Sequence, residues 1–518
     1  MDPEKTGIGH HEALNDDDVV GEKKITHEEA EHLRALSPEE KLIEKKLKKK
    51  IDALIMPTVV VVYLMNYIDR NNYAAARLQG LVEDLNLEGN QYQTGLSILF
   101  VGYVLMQVPS NAVMNYVGRP SIYIGFFTAA WGLVSLLTSQ TTDFGSIVAC
   151  RFILGIVEAP FFAGVLFYLS KWYTKSELNL RMSIFYSASL MSGAFGPLIA
   201  AGILSGMDGA RGLGAWQWLY IIEGAITILI GLIVMVVLPD FPDTWKSLSP
   251  EEKHVANRRL ALDAAEADVD EPGGMSQLRG IKLAFLDPKT WVLAIAYHGI
   301  TGAAGFQNFF PTLAKETFNY DSNVINLLLA APPYVFIIFW SLGHSLLSDR
   351  VGNRFWFFLY PVPIVLVGCF IFMFAHNNGA RYFSLFLMMF IFAMNGTTYA
   401  WIANAIPRPP AKRAAALAFI NSFGNAASIW TPFTYFTWSS PYFHPAMGII
   451  IGLTAIAGIC GIILRFLLER DNKRLARLEN ESVELSEADL KKLQKTADME
   501  GIDIATARQL QKGYRFMI

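Results

Sequence analysis

Twelve stretches of the chain are each about twenty residues long and nearly free of charge, and this restricts the fold more than any other feature. A helix crossing the roughly 30 Å hydrocarbon core of a bilayer needs about 20 mostly apolar residues. Runs of this kind fall near 53–75, 93–115, 121–140, 145–169, 182–205 and 217–238, then near 290–312, 324–347, 355–375, 381–405, 413–436 and 445–468. A soluble chain of 518 residues would need a far more polar surface than 17% charged against 53% apolar residues supplies. The expected fold class is an all-α membrane protein of twelve transmembrane helices, six on each side of the polar stretch 240–289.

Charge placement sets the expected orientation. Lysines and arginines crowd the ends that share a side with the N-terminus: Lys45 to Lys50, Lys171, Lys175, Arg181, Lys246 to Lys282, Arg350, Arg354, Arg408 to Arg413 and Arg470 to Arg477. The other side receives only Arg77, Arg211, Lys315 and Arg381. Positive residues stay inside, so both termini are expected in the cytoplasm. The first fifty residues hold no apolar core, so the first span is read as an uncleaved insertion signal. The expected divisions are a cytoplasmic tail over 1–50, a six-helix bundle over 51–239, a cytoplasmic linker over 240–288, a second bundle over 289–468 and a tail over 469–518.

Several function classes drop out. A net charge of −3 gives no basic surface for nucleic acid. The three cysteines, Cys150, Cys369 and Cys460, lie inside apolar runs and imply no disulfide framework. No phosphate-cradling Gly-Lys-Ser/Thr loop, nucleophile elbow or metal-spaced Cys/His cluster occurs. No enzyme activity, metal or cofactor is therefore expected, and the energy source should be a gradient.

The two halves echo each other. Val113-Met-Asn-Tyr-Val-Gly118-Arg119 after the second span answers Leu347-Ser-Asp-Arg-Val-Gly352-Asn-Arg354 after the eighth, the glycines lying 234 positions apart. Arg181 and Arg413 enter the fifth and eleventh spans 232 apart, and mid-span Glu158 and Asn395 are 237 apart. Near-equal offsets are the mark of two copies of one bundle. Ser348-Asp-Arg-Val-Gly-Asn-Arg354 resembles the Asp-Arg-x-Gly-x-Arg loop of the major facilitator superfamily. More narrowly, the chain from about 45 to 470 resembles the anion:cation symporters in the fungal allantoate permease branch. The residues that carry this are Tyr67-Ile-Asp-Arg-Asn-Asn72, Gln107-Val-Pro-Ser-Asn111, Arg151-Phe-Ile-Leu-Gly-Ile-Val-Glu158, Leu169-Ser-Lys-Trp-Tyr173, Trp216-Gln-Trp-Leu-Tyr-Ile-Ile-Glu-Gly224 and Leu238-Pro-Asp-Phe-Pro242. The first-half loop departs from the pattern, with Asn115-Tyr116 in place of Asp-Arg. The resemblance implies two pseudo-symmetric bundles and an inner gate at Asp349, Arg350, Gly352 and Arg354.

Four charges stand where a bilayer should not tolerate them. Asp69 and Arg70 sit deep in the first span, Arg151 and Glu158 in the fourth. Each costs about 2.5–3.5 kcal/mol at the centre of a membrane helix on insertion scales. They must pair or face water. Arg151 and Glu158, seven apart, share one helix face. A guanidinium fork suits a carboxylate and never deprotonates, so Arg151 is the first candidate anion anchor and Arg70 the second. The resemblance assigns proton coupling to Asp69 and Glu158 and anion binding to Arg151. The structural alternative is two packed ion pairs, Asp69 with Arg70 and Arg151 with Glu158.

Weaker candidates for substrate contact are His298 in the seventh span and Asn395, Tyr399, Asn421 and Asn425 in the tenth and eleventh. Packing and interhelical hydrogen bonds are their bland readings, and Glu223 reads as a helix brace. Gly193-Ala-Phe-Gly-Pro197 reads as a close-packing segment, although a Gly-Pro pattern there also marks proton antiporters of the resembled superfamily. The function expected is proton-coupled uptake of a small organic anion by alternating access, by a monomer in the plasma membrane. A vitamin-like carboxylate such as nicotinate or pantothenate, or an allantoate-like anion, is the substrate class by analogy. The alternatives are a proton-coupled exporter and, in a different class, a non-transporting nutrient receptor.

Overall fold

The structure is a computed structural model that describes residues 36–242, 244–267, 277–318, 320–406 and 410–479. Every regular element among them is helical. The first half comprises α1 (Pro38–Arg77), α2 (Gln91–Val117), α3 (Pro120–Thr138), α4 (Phe144–Ser170), α5 (Lys175–Met207) and α6 (Ala215–Val237). Two linker helices, Pro250–Ala267 and Gln277–Leu286, lead to the second half. There the rods are α7 (Pro288–Ala304), α8 (Ala331–Val351), α9 (Arg354–Leu359 and Pro361–Phe374), α10 (Asn378–Met388 and Phe390–Ala405), α11 (Pro410–Asn425) and α12 (His444–Glu479).

A helical rod thus stands at each of the twelve apolar stretches. Nine helices among the described residues are long and apolar enough to cross a membrane. The rods α7 and α11, of 17 and 16 residues, fall below that length. Past α7 the chain continues through a 3-10 turn at Gly305–Phe309 into Phe310–Phe318.

Local sequence explains the boundaries. Ser37 caps α1 reciprocally with Glu40, each side chain taking the other's backbone N–H at 3.2 and 2.8 Å. Asp143 and Thr174 open α4 and α5 in the same way. Gly118 and Gly352, the echoed glycines, end α2 and α8 at φ +66° and +67°. Both take the left-handed conformation that closes a helix and that side chains disfavour.

In the first half α3 runs along α6 and α2 along α4. A Cβ on Gly155 would stand 2.0 Å from the Leu99 carbonyl oxygen, so α2 and α4 touch backbone to backbone. One apolar core, including Trp131, Phe161, Tyr168 and Phe185, is built wholly from the first half and its linker. Another fills the second half and reaches across to Tyr73, Tyr92, Trp216 and Tyr220.

The face carrying the start of α1 and the linker, here the tail side, is tied by charges. Arg181 at the start of α5 grips Asp52 with two bonds of 2.9 and 2.6 Å. Lys412 at the start of α11 meets Asp287, just before α7, at 2.6 Å. These are the same connection made once in each half. The first linker helix docks on the first half through Arg259, which is buried against Glu177 at 3.2 Å and Glu44 at 3.5 Å and donates to the Trp172 carbonyl. Lys48 also pairs with Glu177, Lys50 with Glu252 at 3.2 Å and Arg258 with Glu40 at 3.0 Å.

Candidate functional site

On the far side the halves close on each other. Asn323 donates to the Leu78 carbonyl at 2.7 Å, and Gln93 to that of Tyr435 at 3.3 Å. Tyr334 of α8 lies in a notch left by Gly193 of α5, where a Cβ would stand 2.2 Å from its ring. A small cavity between the halves, lined by Asn71, Gly193, Gln307, Phe310 and Tyr334, lies against this contact. Nearer the middle Tyr186 of α5 stacks on Tyr399 of α10 at 5.2 Å, and Ser422 of α11 donates to Gln107 of α2 at 3.3 Å.

The four membrane charges converge beneath this closure. Arg70 Nε lies 2.6 Å from Glu158 Oε2, so α1 and α4 are joined by an ion pair with Glu158 wholly buried. This corrects the pairing that adjacency and helix spacing suggest. Partners here are chosen across helices, because each charge projects from its own rod toward the common seam. A buried pair this close offsets part of its desolvation cost only if its remaining groups are also engaged. The Arg70 guanidinium lies over the rings of Tyr103 at 4.6 Å, Tyr67 at 5.5 Å and Phe100 at 5.9 Å, which shield it on the apolar side. Glu158 Oε1 has no hydrogen-bond partner among the described residues.

Arg151, 2% exposed, stands over the Tyr73 ring at 4.7 Å and donates from Nε to the Gly95 carbonyl at 3.2 Å. Its Nη1 is buried with no hydrogen-bond partner among the described residues, a donor in reserve. Asp69 accepts from Ser135 Oγ of α3 at 2.5 Å and lies within electrostatic reach of Glu158, Arg151 and Arg70. All four residues therefore belong to one cluster.

The second-half candidates divide. Tyr399, Asn421 and Asn425 join a hydrogen-bond chain: Tyr399 meets the Tyr297 hydroxyl at 2.5 Å and donates to Asn421 Oδ1 at 3.2 Å, which also accepts from Asn425 at 3.2 Å. Asn395 keeps a buried amide oxygen with no partner among the described residues. His298 stands apart. Its Nδ1 is 2.8 Å from the Phe423 carbonyl and its Nε2 accepts from Trp430 at 3.3 Å, so both ring nitrogens are spent on bracing α7 to α11 and to the short helix Ala427–Trp430 that follows it. At the loop after α8, Arg354 donates to Ser348 at 2.9 Å and Arg350 is exposed, while the Asp349 side chain lies outside the described residues.

Sequence reasoning named Tyr399 but missed the tyrosines around it. Tyr67 and Tyr103 from the first half and Tyr186, Tyr297 and Tyr399 at the seam lie within electrostatic reach of one another and bridge the arginine cluster to Asn421. Tyrosine is grouped with the apolar residues in composition, so among the others only Tyr67, two residues before Asp69, carried a signal. His344 was missed too; it is buried between Tyr360 at 2.7 Å and Thr397 at 2.6 Å.

Two helical halves that close on a seam lined by buried charges define a multi-pass membrane transporter. The Major Facilitator Superfamily model matches residues 59–432, and the chain belongs to that superfamily. It is 32% identical over 455 residues to the MFS-type transporter cnsO of Penicillium expansum, covering 85% of this chain and 86% of that one. It is 29% identical over 446 residues to the major facilitator-type transporter hxnP of Emericella nidulans, covering 83% and 87%. Among solved structures, a bacterial homologue of the human lysosomal transporter Spinster, inward-facing and unoccupied, superposes with a TM-score of 0.60 at 14% identity, over 84% of this chain and 98% of that one. The D-xylose-proton symporter does so with a TM-score of 0.55 at 15% identity, over 79% and 96%. At such identities the shared property is the fold.

Proposed function

We propose that the protein carries a small organic anion into the cell together with one or more protons, by alternating access between the bundles 51–239 and 289–468. The observation that supports this most is the Arg70–Glu158 pair at 2.6 Å beside the seam. A proton arriving on Glu158 removes the charge that holds Arg70, and the freed guanidinium fork accepts a carboxylate in two parallel bonds. Arg151 offers a second donor behind it, and Asp69 is the other proton-coupling carboxylate. From the opposite wall Tyr399, Asn421 and Asn425 supply neutral hydrogen-bonding groups, which orient a ligand without adding charge. Proton and anion together then leave the seam no more charged than when empty, so it can close around its cargo and open on the other side.

The positive charge of the tail side supports a cytoplasmic position for it. A carboxylate of vitamin size, nicotinate-like or pantothenate-like, or an allantoate-like anion, is the substrate class, on the resemblance to anion:cation symporters. The test is uptake by proteoliposomes of the full chain, offered a pool of labelled organic acids under an imposed inward proton gradient. Accumulation that a protonophore abolishes is expected. Glu158→Gln should stop accumulation while sparing substrate exchange; if that variant still concentrates substrate, the assignment fails. Loss of preloaded acid on applying the gradient, with no accumulation of any acid, would establish export instead.

A further inference from the structure

A fifth buried charge-bearing residue adjoins the cluster. Glu223 of α6 is 2% exposed, and its Oε2 accepts a hydrogen bond from Asn72 Nδ2 of α1. Its Oε1 is buried and has no hydrogen-bond partner among the described residues, and the same holds for Asp69 Oδ2. Asn72 follows Asp69 by three residues, so α1 turns both toward α6 and α3 on one face.

The groups facing Glu223 are few. From α1 come Asp69 and Asn72, and Asp69 is the charged group within electrostatic reach. On α3 the buried Ser135 is turned to Asp69, and α3 carries no acidic or basic residue between Pro120 and Thr138. The charges of α5 are confined to Lys175, Glu177 and Arg181 at its tail-side start. Tyr220, one turn before Glu223, faces both Asp69 and Arg151. Among the described residues no cation therefore stands against Glu223, in contrast to Glu158.

The cluster as a whole holds two guanidinium groups and three carboxyl groups. If every carboxyl were ionised, one negative charge would remain uncompensated inside the membrane, at a cost far above that of a neutral carboxyl group. Binding of one proton removes it. Arg70 already neutralises Glu158 and Arg151 lies within electrostatic reach of Asp69, which leaves Asp69 and Glu223 to share that proton.

We propose that Glu223 is a proton-binding site of the transporter, and that it shares with Asp69 the single proton that neutralises the cluster. The reaction is proton addition to a carboxylate oxygen, and Asn72 holds the carboxyl in either state because its amide donates to Oε2. As Asp69 draws toward Arg151 or away from it, the proton shifts between the two carboxyls. The role in turnover rests on the proton-coupled reading above; the bound proton itself does not.

Infrared spectroscopy of the full chain in lipid tests this without requiring transport. The wild-type protein should show at neutral pH the carbonyl band of a protonated, buried carboxyl, and Glu223→Gln should lose or shift it. Glu223→Asp, which keeps the acid on a shorter arm, should restore a band at an altered position and guards against a folding defect. Identical carboxyl bands in wild type and Glu223→Gln would overturn the proposal. In proteoliposomes Glu223→Gln should move one proton fewer per substrate than wild type, and an unchanged count would reduce Glu223 to a brace. If the band responds as expected but wild-type transport proves independent of protons, the proton site stands and the symport reading falls.

Discussion

At the scale of single residues, the cluster shows what a hydropathy reading reveals and what it hides. Asp69, Arg70, Arg151 and Glu158 were legible because a charge within twenty apolar residues has few innocent explanations. Their pairing was not, because spacing along one helix says nothing about how two helices are rotated against each other. The pair makes a measurable distinction. Arg70→Ala leaves Glu158 buried without its cation and should lower stability by about 3–5 kcal/mol. Arg70→Met combined with Glu158→Leu removes both charges and should recover most of that loss. Thermal unfolding of the purified variants in detergent reads both, and equal destabilisation by the two would mean that the uncompensated Glu158 charge is not the source of the loss.

At the scale of helices, two contacts set what can move. The segment Gly193-Ala-Phe-Gly-Pro197 was readable as a close-packing stretch, but its partner was not, since Tyr334 lies more than a hundred residues away. Gly193→Val should prevent the far side from closing, at a cost typical of overpacking, about 1–3 kcal/mol. Uptake should fall with it, and the double variant with Tyr334→Ala should regain uptake by emptying the space the new side chain needs. The linker contact is sensitive to acid. Burial works against the charge of Glu177, but the hydrogen bond from Lys48 and the charge of Arg259 outweigh it and hold the carboxyl below the usual glutamate range. A depressed pKa stabilises the docked linker above the unfolded value, and that stabilisation is lost as pH falls through the folded one. Protection of the amides across 250–267, taken relative to the intrinsic exchange rate at each pH, should therefore fall as the medium drops below the ordinary carboxylate range and stay constant above it. Glu177→Gln should flatten that dependence.

At the scale of the whole molecule, the count and spacing of rods were legible because membrane thickness fixes helix length. Seam chemistry was less so, since the tyrosines that line it are indistinguishable by composition from those facing lipid. Far-side closure is the state described here, and alternating access requires it to break. Cysteines introduced as Leu78→Cys and Asn323→Cys, at a contact of 2.7 Å between the halves, should form a disulfide that arrests uptake on oxidation and releases it on reduction. Continued uptake by the cross-linked protein would mean that this contact does not open. One further consequence follows from α1, which runs unbroken for 40 residues from Pro38 to Arg77. Its first fifteen or so residues extend past the hydrocarbon by about 20 Å at 1.5 Å per residue. They form a lever: each degree by which the first bundle tilts displaces the tip at Pro38 by roughly 0.4 Å. A spectroscopic label near that tip, well away from substrate, would thus act as an amplified gauge of each turnover.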